Sequence, residues 1–233
     1  MGNITAVTAD FQRATELEGQ PLYSLRGIHE AESKLLRGDR LGALSQTQAN
    51  REIADRNAWN DEICRCNVLL ATVHLPNEPG QAAQCLRDAR AFADRSGEVE
   101  FQLRCFQAAC ELQRHLGDYP QAIAEGEAGI LLADTCGFGK WSIDIRLELS
   151  ETYLLAGDAH EGLRNARNAL DRSEQPDCQY AWGKADGLHW CGVAHLRLGE
   201  RELARQRLTA ALELRERLGH GRLKETRRAL AGL

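Results

Sequence analysis

A turn signal recurs along this chain at a nearly constant step, and that period limits the fold more than any other feature. The turns fall at Gly38, Asn77, Gly117, Gly157 and Gly199, in "LLRGDRLGAL", "LPNEPGQAA", "HLGDYPQAI", "LLAGDAHEGL" and "RLGERELAR", with steps of 39, 40, 40 and 42 residues. Five residues after each turn stands a small side chain: Ala43, Ala82, Ala122, Gly162 and Ala204. Seven further on stand Asn50, Ala89, Gly129, Ala169 and Ala211. Positions seven apart share one face of a helix, and small residues there let a second helix come close. A second set of breaks, at Gly19, Asn57, Gly97, Gly137, Pro176 and Gly219, divides each unit in two. The segments between breaks are about 15–20 residues long, with apolar residues at three-and-four spacing and little that reads as strand. A repeat of this length built from two helices predicts a solenoid, in which each unit buries its apolar face only against its neighbours.

Composition leaves that reading undisturbed. Of the 233 residues, 43% are hydrophobic and 27% charged, ordinary values for a globular chain. No apolar run approaches the roughly 18 residues a membrane helix needs. With no basic-then-apolar leader, the expectation is a cytoplasmic protein. The net charge of −5 argues against nucleic acid as partner. From Glu200 onward nine Arg or Lys face five Glu, so this end either meets an acidic surface or is a solvated arginine-rich face. The eight cysteines form no C-x-x-C pair and read as reduced, mostly buried small residues. Nor do the seven histidines form a metal-binding spacing. No catalytic constellation is present, so the chain is read as a non-enzyme with no cofactor and no metal.

One stretch invites the opposite conclusion. "CGFGKWSIDI", residues 136–145, resembles the tail of a phosphate-binding loop. Such a loop needs G-x-x-x-x-G-K-[ST] after a strand, so that backbone amides curl around the phosphates. Here the first glycine would be residue 134, which is Asp, Lys140 is followed by Trp141, and the preceding "EAGILLADT" is helix-like. The stretch is therefore read as a helix-ending turn.

The unit resembles a tetratricopeptide repeat (TPR), in the longer form of about 40 residues. The best match is "GLHWCGVAHLRLGERELARQRLTAALELRERLG", with Leu188, Gly192, Gly199, Ala204, Leu208 and Ala211 where the repeat wants them. Repeat one is degenerate, with Gly27, Glu30 and Lys34 at packed positions, and repeat two carries Pro76 and Pro79 around its turn. The expected fold is an all-α, right-handed superhelical solenoid of antiparallel helix pairs. Residues 20–219 would hold five repeats and 220–233 a C-terminal capping helix. "VTADFQRATELEG" puts Val7, Phe11, Ala14 and Leu17 on one stripe, so residues 1–19 read as the second helix of a truncated upstream repeat in an excised domain. "CQYAWGKADGLHWCGVAHLRLGE" and "LGHGRLKETRRAL" are further similar to the C-terminal TPR sensors of bacterial STAND-class signalling ATPases.

The resemblance implies a binding module. First helices of successive repeats would line a groove, with side chains 13, 10, 6 and 3 positions before each turn pointing into it. Repeat two then supplies Cys64, Asn67, Ala71 and His74, and repeat three Arg104, Gln107, Glu111 and Arg114. Repeat four supplies Asp144, Leu147, Glu151 and Leu154, and repeat five Asp186, His189, Val193 and Leu196. The alternative is that these residues form merely a solvated face. Ile28 and Glu32 replace the Lys and Asn of repeats that clamp C-terminal carboxylates, which excludes that partner class. The expected partner is a protein or peptide, in a STAND sensor or alternatively a free-standing adaptor. Upstream domains of the same chain and weak self-association are further possible contacts. The loop reading generates one test: millimolar Mg-ATP should leave the amide signals of residues 137–140 and the melting temperature unchanged. A saturable shift centred on Lys140 would overturn it.

Overall fold

The computed structural model describes residues 4–19 and 21–233, and among them there are twelve α-helices and no strand. They group into two compact units, one running to Ala108 with Gly219–Gly221 added, the other made of Ala109–Leu218 and Arg222–Leu233.

The N-terminal unit contains α1 (Ile4–Glu18), α2 (Ser24–Leu36), α3 (Arg40–Arg56), α4 (Asn60–His74), α5 (Pro79–Ser96) and the first part of α6 (Val99–His115). Helices α2 and α3 pack as a pair, as do α4 and α5, and α3 lies against α4. The small positions after the turns are where these contacts form: Ala43, Ala82, Ala89 and Ala93 are all buried. Ile28, Leu69, Val73, Leu86, Phe101 and Leu103 supply larger core side chains, and Phe92 meets Phe101 edge-on at 5.3 Å. Asp39 caps α3 by accepting from the Gly42 amide at 2.9 Å, satisfying one of the donors a helix start leaves open. Gly221 donates its amide to the Leu36 carbonyl at 3.0 Å. A Cβ at Gly221 would stand 2.6 Å from that oxygen, so only glycine fits against this turn.

The C-terminal unit holds the end of α6, α7 (Tyr119–Cys136), α8 (Gly139–Ala156), α9 (Ala159–Ser173), α10 (Ala181–Arg197), α11 (Arg201–Leu218) and α12 (Leu223–Ala231). Neighbours pack in order, α7 on α8, α8 on α9, α9 on α10, α10 on α11 and α11 on α12. The turn glycine Gly157 takes φ +92, a conformation cheap only for glycine, and Asp158 then caps α9 through the Glu161 amide at 3.0 Å. Ile143, Leu163, Leu170, Leu188 and Trp190 form the main core, and Cys110, Ala122 and Leu149 a smaller one. Three glycines within α10 mark close helix contact, not a break. A Cβ at Gly183 would lie 2.7 Å from Ile143 Cγ2, at Gly187 3.0 Å from Leu170 Cβ, and at Gly192 2.6 Å from Leu208 Cγ.

The expected breaks at Asn57 and Pro176 both fall between helices, α3 ending at Arg56 and α9 at Ser173. No glycine is available near Asn57 or Pro176, so the left-handed residue is Ala58 (φ +54) in one case and Gln179 (φ +45) in the other. "CGFGKW" is a helix-to-helix turn. Gly137 (φ +77) closes α7, α8 begins at Gly139, and Lys140 bonds Asp144 at 2.6 Å. Cys64, Cys66, Cys105, Cys110 and Cys191 are buried free thiols, Cys85 and Cys178 are half-buried, and Cys136 is exposed. Burial pushes Cys66 and Cys110 up to about 12, so neither is a thiolate at neutral pH. Among the described residues no helix is long and apolar enough to cross a membrane.

Ala122 is fully buried against Cys110 and Leu149. Ala122→Leu should overpack this contact and cost about 1–3 kcal/mol of stability. Chemical denaturation should show the loss, and an unchanged midpoint would remove Ala122 from the helix crossing.

Candidate functional site

In the N-terminal unit the inner stripe of α4 is closed off. Cys64, Asn67, Ala71 and His74 are all buried. The Cys64 thiol donates to the Ala89 carbonyl at 3.5 Å, and His74 Nδ1 lies 2.6 Å from Glu78. These side chains pack within the chain and offer little to a ligand. The next first helix differs. Arg104 on α6 donates to Glu32 of α2 at 2.9 Å and to Glu100 at 3.0 Å, and Arg65 of α4 reaches the other Glu100 oxygen at 3.1 Å. A carboxylate–guanidinium chain thus joins α2, α6 and α4. Gln107, one turn on from Arg104, is half-buried.

In the C-terminal unit Glu111 and Arg114 continue along α6, both half-buried. Arg114 bonds the carbonyl and the carboxylate of Glu148 on α8 and approaches Glu151 at 3.5 Å. Asp144 holds Lys140, whose ammonium stands 5.1 Å from the Trp141 ring centre and 5.0 Å from that of Tyr180. Burial raises the Asp144 pKa, with Lys140 and the Tyr180 hydroxyl opposing. Asp186 accepts from Arg215, and His189 lies 3.3 Å from the Thr226 hydroxyl with its ring edge-on to Trp190. Leu147 and Leu154, expected in the groove, are core residues instead. They are buried in the cluster with Leu163 and Leu170, and Leu154 fills the space a side chain at Gly162 would need. Val193 packs half-buried against the same core, and Leu196 is half-buried.

Three charged residues of the C-terminal unit were not singled out from spacing: Glu148, Arg215 and Arg222. Arg215 is fully buried. It donates to Asp186 at 3.1 Å, to the Arg222 carbonyl at 3.1 Å and to Thr226 Oγ1 at 2.7 Å. Arg222 bonds Glu151 at 3.3 Å and Glu225 at 2.7 Å, and stands 5.2 Å from the Trp190 ring centre. Two arginines of the basic C-terminal end therefore meet an acidic surface that belongs to the chain itself. A signal for Arg215 existed: Leu208, Ala211, Arg215 and Leu218 follow one helical stripe, so a charge at 215 needed an internal partner. Among the described residues no group of His, Cys, Asp and Glu is placed to hold a metal ion.

The Glu32–Arg104 pair carries a pH signature. Burial would raise Glu32, but its bond to His29 and the charge and bonds of Arg104 outweigh this and lower it from 4.5 to about 2. A depressed carboxylate stabilises the folded state fully above its ordinary pKa and loses that contribution as pH falls through the folded value. The stability difference between wild type and Glu32→Gln should therefore be constant above about pH 5 and shrink from there toward pH 2. Denaturation curves across that range measure it, and a difference that grows on acidification would contradict the assignment.

No protein-family model matches the chain, and comparison with curated proteins returns no match. Solved structures do match. The STAND protein with a tetratricopeptide repeat sensor PH0952 from Pyrococcus horikoshii superposes with a TM-score of 0.64 at 13% identity, over 88% of this chain and 30% of that one. BtubC (BKLC) from P. vanneervenii gives 0.64 at 18% identity, over 81% and 80% of the two chains. NprR, solved in complex with its cognate peptide NprX, gives 0.72 at 12% identity, over 98% of this chain and 66% of that one. The chain thus spans less than a third of the STAND protein and about two thirds of NprR. With the described residues forming helices that pack on their sequence neighbours within each unit, it has the tetratricopeptide-type helical-repeat fold.

Proposed function

We propose that this chain is a protein- or peptide-binding module, and that it serves as the ligand-sensor part of a larger STAND-type signalling ATPase. The observation that carries the binding role is the character of the first helices. Arg104, Gln107, Glu111, Arg114, Glu151 and Asp186 remain partly accessible on them, with both signs of charge represented. Within either unit, packed helices holding such side chains suit recognition of a peptide segment, with the charges steering encounter and fixing orientation. The likeness to NprR, solved with a peptide, supports the binding class, and the likeness to a STAND protein with a TPR sensor supports the setting. In that setting ligand capture would shift the module between two contacts with the rest of the switch. On this reading residues 1–19 are the second helix of an upstream repeat, residues 20–219 five repeats and residues 220–233 the cap.

A free-standing adaptor is the second reading, favoured by the mutual coverage with BtubC, about four fifths of each chain. The full reading frame separates the two, since an upstream P-loop ATPase belongs only to the sensor. For the binding face, photo-crosslinking amino acids at Gln107 and Leu196 should capture a partner in native lysate, whereas the same group at outward-facing Gln84 and Arg164 should not. Capture from the outward positions alone would move the binding surface off the first helices.

A further inference from the structure

We infer that the inner face of α8 and α10 is a seat for an arginine-bearing peptide segment, and that the chain's own residues Arg222–Thr226 occupy it when no partner is present. The inference rests on the binding role proposed above and names the chemistry of the ligand.

The seat has three parts. Trp190 offers a ring face to the Arg222 guanidinium at 5.2 Å, a geometry that favours a cation. Glu151 accepts from the same guanidinium at 3.3 Å. Third, Arg215 projects donors into the seat, where the Arg222 carbonyl and the Thr226 hydroxyl accept them at 3.1 and 2.7 Å. Burial weakens the Arg222 cation, but Glu151, Asp186, Glu225 and Glu148 together more than offset this.

The third part decides the class of ligand. Arg215 is fully buried. It keeps Asp186 through Nε, but its Nη1 loses the Arg222 carbonyl and the Thr226 hydroxyl when α12 leaves. A buried donor left without an acceptor is costly. Whatever replaces α12 must therefore bring a carbonyl or hydroxyl oxygen to Arg215 as well as a guanidinium to Glu151 and Trp190. A peptide carrying an arginine does both at once, whereas a polyamine or a free guanidinium compound brings no acceptor.

The resident segment is built to leave. Helix α12 has nine residues, no side-chain cap at its N-terminus and one buried side chain, Thr226. A helix this short is marginal alone and depends on its contacts with neighbouring helices, so local release is cheaper than global unfolding. Binding of an external segment then competes with α12, and the apparent affinity is reduced by the fraction of time the seat is taken.

The test uses the full chain and a fluorescent synthetic peptide with the sequence of residues 219–233. Arg222→Ala weakens the resident segment, so the variant should bind the peptide about tenfold more tightly than wild type. Adding Glu151→Gln should abolish that gain, and so should a glutamine in place of the arginine equivalent to Arg222 in the peptide. In wild-type protein, excess peptide should speed hydrogen exchange at the amides of residues 223–231, a readout that needs no variant to fold. Equal or absent binding by wild type and Arg222→Ala, indifference to Glu151→Gln, or unchanged exchange in α12 would each overturn the inference. The two proposals fail separately. A partner captured by crosslinking, with no binding of this peptide, leaves the module's role and removes the arginine seat. Glu151-dependent peptide binding with no cellular partner captured does the reverse.

Discussion

At Ala122, Gly162 and Ala204 two helices approach so closely that an added side chain has no room. A methyl group at Gly162 would stand 2.8 Å from Leu154 Cγ, and both alanines are completely buried. Everything else depends on this approach. Short distances between backbones bring the longer side chains of neighbouring helices into contact, and dense contact is what offsets the entropy of ordering the chain. The stretch of α10 carrying Gly183, Gly187 and Gly192 is the extreme case. Isolated glycines weaken a helix by nearly 1 kcal/mol each relative to alanine, yet α10 runs unbroken because Ile143, Leu170 and Leu208 fill the space they leave.

Packing of this kind leaves the first helices with two different tasks. One side must join the core, the other carries charge. Where the stripes meet, apolar side chains go to the core, which is why Leu147 and Leu154 are buried while Glu151, between them on the helix, stays accessible. The charged side then organises itself. Glu32, Arg104, Glu100 and Arg65 form one chain of ion pairs, and Arg114, Glu148, Glu151 and Arg222 another. Partly buried pairs of this sort are costly to break singly, because the remaining charge stays desolvated.

These two layers differ in how far they can be read from the residues alone. The helices, the turns and the crossing points were legible because each depends on neighbours within a few positions: a glycine for a left-handed turn, an aspartate to cap, a small residue to cross. The breaks at Asn57 and Pro176 were legible too, although the left-handed residue beside them is Ala58 in one case and Gln179 in the other. Ion pairing was not legible, because Asp186 finds Arg215 at a separation of 29 residues and Glu32 finds Arg104 at 72. The repeat resemblance assigned Arg104, Arg114, Asp144 and Asp186 to one face of their helices, but it could not tell which charges were already answered. Burial of His74 and Asn67 was equally invisible, since a polar residue at a groove position looks the same whether solvent or another helix covers it.

The long-range pairs also bear on how the chain comes apart. In a stack where each helix pair touches only its neighbours, cooperativity decays along the array and ends can fray while the middle persists. Glu32–Arg104 and Glu151–Arg222 each span more than 70 residues, well beyond one repeat. Closing so long a loop costs chain entropy that short-range contacts do not, so these ties form only after the intervening helices are in place. Once formed, the first fastens α2 to α6 and the second fastens α8 to the residue that precedes α12, and fraying between the tied points must break them. Two ion pairs thereby lend a modular array some of the all-or-none character of a globular domain.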